Sequence, residues 1–140
     1  MIAYFDTSAV IPLLVTEPTS DAVAEWWMRA SRVVSVRLLY PEARAALARA
    51  HREGRLTGQQ HRITVSELAR LDAQLDHVEV TGHLAARAGD LAEQEALRGY
   101  DAVHLAAAET IADDDVVLVT GDRTLRVAAH HVGIATAVLL

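Results

Sequence analysis

Hydrophobic positions along the chain alternate between short β-rich runs and longer stretches with helical spacing. Ile2-Ala3-Tyr4-Phe5 is an apolar run that ends at Asp6 and reads as a buried strand. Thr7 and Ser8 are N-cap candidates for a helix reaching about residue 15, and Pro12 beyond its first turn predicts a kink or a later start. Ser20-Asp21 can cap a second helix carrying Val23, Trp26 and Trp27, and Val33-Val34-Ser35-Val36 predicts a second strand. From about residue 38 to 52, Ala43, Ala46, Leu47 and Ala50 recur at helical spacing until Gly54 stops the helix. Thr57 opens another helix, with Ile63, Leu68, Leu71 and Leu75 predicted on one face. Residues 77–80 predict a third strand, and residues 83–97 and 101–111 two further helices. Val116-Val117-Leu118-Val119 is the clearest strand of all; a helix over 123–130 and a strand over 135–139 complete the pattern. Strands alternating with helices predict an α/β fold: three layers, α/β/α, around a central parallel sheet of about five strands. In such folds the reactive site lies beyond the carboxyl ends of the strands.

Composition narrows the picture. The 140 residues suit a single domain, with no linker, repeat or low-complexity stretch, and the 51% hydrophobic content can fill a core at this size. There is no cysteine, which excludes disulfides and thiolate metal sites. The first residues read as a strand rather than a secretory leader, and no apolar run is long enough to span a bilayer, so a soluble cytoplasmic protein is expected. The formal net charge of −6 argues against binding nucleic acid through a blanket of positive charge, but not against acids that reach it through a metal. Every basic residue except histidine is arginine. A Walker-type phosphate loop and a Schiff-base enzyme both require lysine and are excluded.

Acids stand where the predicted fold would place a site. Asp6 ends the first strand, and Asp122 follows the 116–119 strand after Thr120-Gly121. Glu42 and Asp101 lie near the starts of two mostly apolar helices, where a charge has no packing role. Each has a bland reading: Asp6, Asp101 and Asp122 as helix N-caps, and Glu42 as a first-turn acid complementing the helix dipole. Only jointly do they point to chemistry. Carboxylates are the hard ligands preferred by Mg²⁺ and Mn²⁺. Clustered without a cation they would repel one another, so the quartet predicts a metal.

The segments around these acids resemble the PIN-domain family, in particular its VapC toxins. They are Phe5-Asp6-Thr7-Ser8-Ala9, Pro41-Glu42, residues 97–106 reading LRGYDAVHLA, and residues 119–125 reading VTGDRTL. They span nearly the whole chain in the family's order. The resemblance implies an endoribonuclease needing Mg²⁺ or Mn²⁺, with Asp6 and Asp101 as chief ligands and Glu42 and Asp122 completing the set. It gives Thr7, Ser8 and Thr120 supporting roles through their hydroxyls. It implies a homodimer, an antitoxin protein as partner and RNA as substrate. Hydrolysis by metal-activated water would leave 5′-phosphate and 3′-hydroxyl ends, whereas a histidine base using the RNA 2′-hydroxyl would leave a cyclic phosphate.

Two other functions fit parts of this pattern: a catalytically idle binding module, and a phosphatase acting on a small phosphoester. Ser8 stands two residues after Asp6, so the paired aspartates of dehalogenase-type phosphatases are missing. Arg98 and Arg123 flank two of the acids and are candidate phosphate contacts, while Arg44, Arg49, Arg52 and Arg55 read first as a solvated face. His104, one turn after Asp101, is within reach of the same pocket but reads first as a satisfied, partly buried side chain, and Asp113-Asp114-Asp115 as a solvated loop.

Overall fold

A computed structural model describes residues 1–112 and 115–139. Five strands form the sheet: β1 (Ile2–Phe5), β2 (Arg32–Val36), β3 (Asp76–Val78), β4 (Val116–Val119) and β5 (Ala135–Thr136). All neighbouring pairs are parallel, in the order β3-β2-β1-β4-β5. The chain moves outward from the central β1 to β3 and then crosses back to β4. The direction therefore reverses between β1 and β4, which is where open α/β sheets bind ligands.

One layer consists of α1 (Thr7–Leu14), α2 (Ser20–Arg29), α3 (Leu39–Arg52) and α4 (Gly58–Asp72). These helices bury Val10, Val23, Leu39, Leu47 and Leu68 against Ala3, Phe5 and Val119 of the sheet. The other layer consists of α5 (Gly82–Glu95), α6 (Gly99–Thr110) and α7 (Arg123–His131), whose Leu84, Leu91, Leu105 and Leu125 cover Tyr4, Val34 and Leu118. Alternate residues of β1 thus serve opposite cores, as strand geometry demands. That is why the strand is apolar throughout.

Several local expectations are corrected. Asp6, not Thr7 or Ser8, caps α1, its carboxylate accepting from the Ala9 N–H. Pro12 neither delays nor splits that helix, which ends at Leu14. At α2 neither Ser20 nor Asp21 is the cap: the Ser20 hydroxyl accepts from the Glu17 N–H and donates to the Val15 carbonyl, serving the preceding loop. Ile63 is exposed; Thr64 takes the inward position with Leu68 and Leu71, its hydroxyl satisfied by the Gln60 carbonyl at 2.6 Å. The third and fifth strands are shorter than expected, because edge strands have a partner on one side only. Asp113 and Asp114 of the expected acidic loop lie outside the described residues; Asp115 pairs with the N-terminal ammonium at 3.0 Å.

Candidate active site

The four acids predicted to act together each belong to the start of a different helix. Asp6 and Asp122 are the N-caps of α1 and α7, and Glu42 and Asp101 lie in the first turns of α3 and α6. Helices that return antiparallel to the strands present their N-termini at the strands' carboxyl edge. Four N-terminal dipoles there partly offset the negative charge. The bland and functional readings are therefore not alternatives: three of these acids engage helix starts or their neighbours while facing the same edge.

Asp6 is the most constrained. It is 3% exposed. Pairing of Phe5 with Val119 continues one step to set Asp6 beside Thr120, whose hydroxyl donates to Oδ2 at 2.7 Å. Ser8 Oγ lies 2.8 and 2.9 Å from the two carboxylate oxygens, and the Ala9 N–H adds a bond of 3.1 Å. The Ser8 oxygen in turn accepts from Gly121 N, and the Thr120 oxygen from Asp122 N. Burial raises the Asp6 carboxyl above its ordinary range, although the His104 charge and these donors pull it down. Ser8 and Thr120 thus hold the Asp6 carboxylate through their hydroxyls.

Glu42 is held from another side. Its Oε1 accepts from Thr7 Oγ1 at 3.1 Å and from His104 Nε2 at 2.7 Å. His104 is 2% exposed, and its Nδ1 lies 2.9 Å from the Tyr4 hydroxyl. Burial, with Asp6 and Glu42 nearby, pushes the Tyr4 phenol well above its ordinary value, so it keeps its proton and can donate. His104 is the satisfied histidine expected, and its place one turn after Asp101 brings it to the site; that its partner there is Glu42 is visible only in the structure.

Asp101 and Asp122 meet Arg98. The guanidinium donates from Nε to Asp101 Oδ2 at 3.0 Å and brings an NH2 nitrogen within 3.5 Å of Asp122 Oδ2. Asp122 Oδ1 caps α7 through the Leu125 N–H. Arg98, 81% exposed, is therefore a counter-ion of the acids before it can be a phosphate contact. Arg123 is exposed at the first position of α7, at the rim. The arginines of α3 behave as a solvated face: Arg49 pairs with Glu53, and Arg44 lies over the Tyr40 ring.

The donor set is all carboxylate and hydroxyl oxygen, which suits a hard divalent cation. Among the described residues, no three acids or histidines close on one point as a ready-made cage. The reason is visible in their partners. Arg98 draws Asp101 and Asp122, while His104 and Thr7 draw Glu42. The residues fit the cation in chemical kind, and a bound ion would compete with Arg98 for two of them.

Together these features define a parallel α/β domain with an acidic, oxygen-donor site at its switch point. The PIN domain profile matches residues 3–131, and the chain belongs to the PIN-domain family. It is 41% identical to Ribonuclease VapC49 of Mycobacterium tuberculosis, covering 97% of this chain and 94% of that protein. It is 34% identical to Ribonuclease VapC46 of the same species, covering 94% and 93%. Among solved structures, FitAcB from Neisseria gonorrhoeae shares the fold, with a TM-score of 0.69 at 17% identity, covering 99% of this chain and 97% of that one. No helix among the described residues is long and apolar enough to cross a membrane.

Proposed function

We propose that the chain is a Mg²⁺- or Mn²⁺-dependent endoribonuclease and the toxin of a toxin–antitoxin pair, acting in the cytoplasm. The observation that carries this reading is the gathering of Asp6, Glu42, Asp101 and Asp122 at the carboxyl edge of β1, β2 and β4, with hydroxyl and imidazole groups behind them. The names of the mycobacterial relatives support it. Asp6 and Asp101 would be the chief ligands, with Glu42 and Asp122 completing the set. A cation held there lowers the pKa of a bound water and offsets charge on a phosphodiester.

The protein's own residues do the rest. Ser8 and Thr120 fix both Asp6 oxygens, so that the carboxylate cannot rotate away. Thr7 and His104 aim Glu42. Arg98 and Arg123 supply positive charge at the rim of an otherwise acidic edge, where RNA phosphates would approach. With both nitrogens engaged by Tyr4 and Glu42, the His104 ring is not free to deprotonate an RNA 2′-hydroxyl. The products should carry 5′-phosphate and 3′-hydroxyl ends.

An antitoxin partner and a homodimer complete the proposal. Solved neighbours of this fold include a toxin–antitoxin complex from Klebsiella pneumoniae. This chain has an open groove of about 280 Å³ among α1, α2 and α4, lined by Leu13, Leu14, Trp27, Met28 and Leu71. Met28 there is 83% exposed, an apolar surface that such a partner could cover.

The test is cleavage of total RNA by purified, folded protein, with Mg²⁺, with Mn²⁺, with chelator, and with Asp6→Asn and Asp101→Asn. Discrete, metal-requiring cuts that disappear in both variants are expected. Folded, inhibitor-free protein that makes no such cuts would leave a binding module as the better reading.

A further inference from the structure

We infer that His104 is a positioning residue: buried and backed by Tyr4, it holds the Glu42 carboxylate in place through its Nε2–H, and it takes no proton from substrate. This rests on the reading of Glu42 as part of the site. The helix that carries His104 is otherwise filled inward by Ala102, Leu105, Ala106, Ala107 and Ala108, so an imidazole among them stands out. Burying a polar ring in such surroundings is unfavourable unless both nitrogens are satisfied. Here both are, and by different kinds of group. Nδ1 faces the phenol of Tyr4 at 2.9 Å, with the two rings edge-on and their centroids 5.9 Å apart. Nε2 faces a carboxylate oxygen of Glu42 at 2.7 Å.

A carboxylate opposite Nε2 places the proton on that nitrogen whether the ring is neutral or charged. The ring therefore always donates to Glu42. Tyr4 lies on the central strand and His104 on α6, so the bond ties α3's first turn to two rigid elements. Glu42 Oε1 is thereby fixed from two sides, by His104 and Thr7. A histidine serving the core alone would have no need of a site carboxylate as its partner.

Tyr4→Phe keeps the Nε2 donor and removes the hydroxyl that would be orphaned if the imidazole were changed. Its own measured rate and Mn²⁺ affinity are the reference for the double variants. Tyr4→Phe with His104→Leu fills the same space without a donor. Cleavage rate, or Mn²⁺ affinity by calorimetry, should fall about 10- to 100-fold, the usual cost of losing a group that orients a metal ligand. Tyr4→Phe with His104→Gln returns an amide N–H near Nε2 and should recover most of the loss. If the leucine variant does not fold, His104→Asn replaces it, since the shorter amide reaches the Nδ1 place and not Glu42. Circular dichroism and melting temperature establish folding for each.

A folded leucine or asparagine variant with reference activity and affinity overturns the proposal. So does a glutamine variant as inactive as leucine, the result expected of a proton-accepting histidine. Wild-type protein that neither cuts RNA nor binds Mn²⁺ removes the metal reading and this proposal together. Wild-type activity with an indifferent His104 removes only the proposal.

Discussion

Asp6 shows the conflict between stability and site chemistry at the scale of one residue. Its carboxyl is raised from an ordinary value of 3.8, chiefly by burial, so the folded state holds its proton more tightly than the unfolded chain does. The sign follows from linkage. As pH rises through the window between the unfolded and folded values, the native state loses stability, because it binds more protons than the unfolded chain there. Asp6→Asn does not titrate and keeps one carbonyl acceptor. Metal-free Asp6→Asn should melt above wild type at neutral pH, with the gap closing as pH falls into the carboxylate range, while RNA cleavage is lost. Melting curves in chelator between pH 3.5 and 7.5 check this, and a variant less stable throughout would mean that the hydrogen bonds from the three donors outweigh the buried charge. The identity of the acid was legible in the sequence because it ends an apolar strand. Its three supporting side-chain and backbone donors were partly legible, since Ser8 is local and Thr120 is 114 residues away.

At the scale of elements, the corner between α5 and α6 sets the position of both Arg98 and Asp101. Helix α5 ends at Ala96, which adopts a left-handed φ of 52°, and Leu97 N then returns to the Ala92 carbonyl at 3.1 Å. An L-residue with a Cβ pays about 1–2 kcal/mol for this conformation, whereas glycine does not. Part of that gain is offset by the greater freedom of glycine in the unfolded chain. Ala96→Gly should therefore stabilise the protein by roughly 0.5–1 kcal/mol in urea unfolding without altering cleavage. Destabilisation would mean that the Ala96 methyl contributes packing that this accounting omits. The alanine also explains why the end of α5 was misread. Without a glycine stop signal, the pattern ran on to residue 97, and α6, which starts at Gly99, was expected only from Asp101. Asp101 consequently lies in a first turn rather than at a cap, leaving its carboxylate free to pair with Arg98.

For the whole molecule, the proposal makes the cation a folding ligand. An ion that binds only the native state, at a hundred times its Kd, adds about 2.7 kcal/mol. For a domain of this size that should raise Tm by roughly 5–12 °C. Thermal unfolding with Mn²⁺ should show this rise, chelator should abolish it, and Asp101→Asn should flatten it; an unshifted wild-type Tm would count against a metal site. The sequence by itself determined the element types and the α/β class and singled out the four acids as candidates, because these depend on local periodicity and on where charges stand relative to the elements. It left open the strand order β3-β2-β1-β4-β5, which places the reversal between β1 and β4 and so brings Asp6 next to Thr120 and Asp122. It could not show that Tyr4, His104 and Glu42 form one hydrogen-bonded line across 100 and 62 residues of chain, or that Arg98 spans Asp101 and Asp122. Those partnerships are decided by which elements pack together, and side-chain hydrogen bonds between distant segments leave no periodic trace in a single sequence.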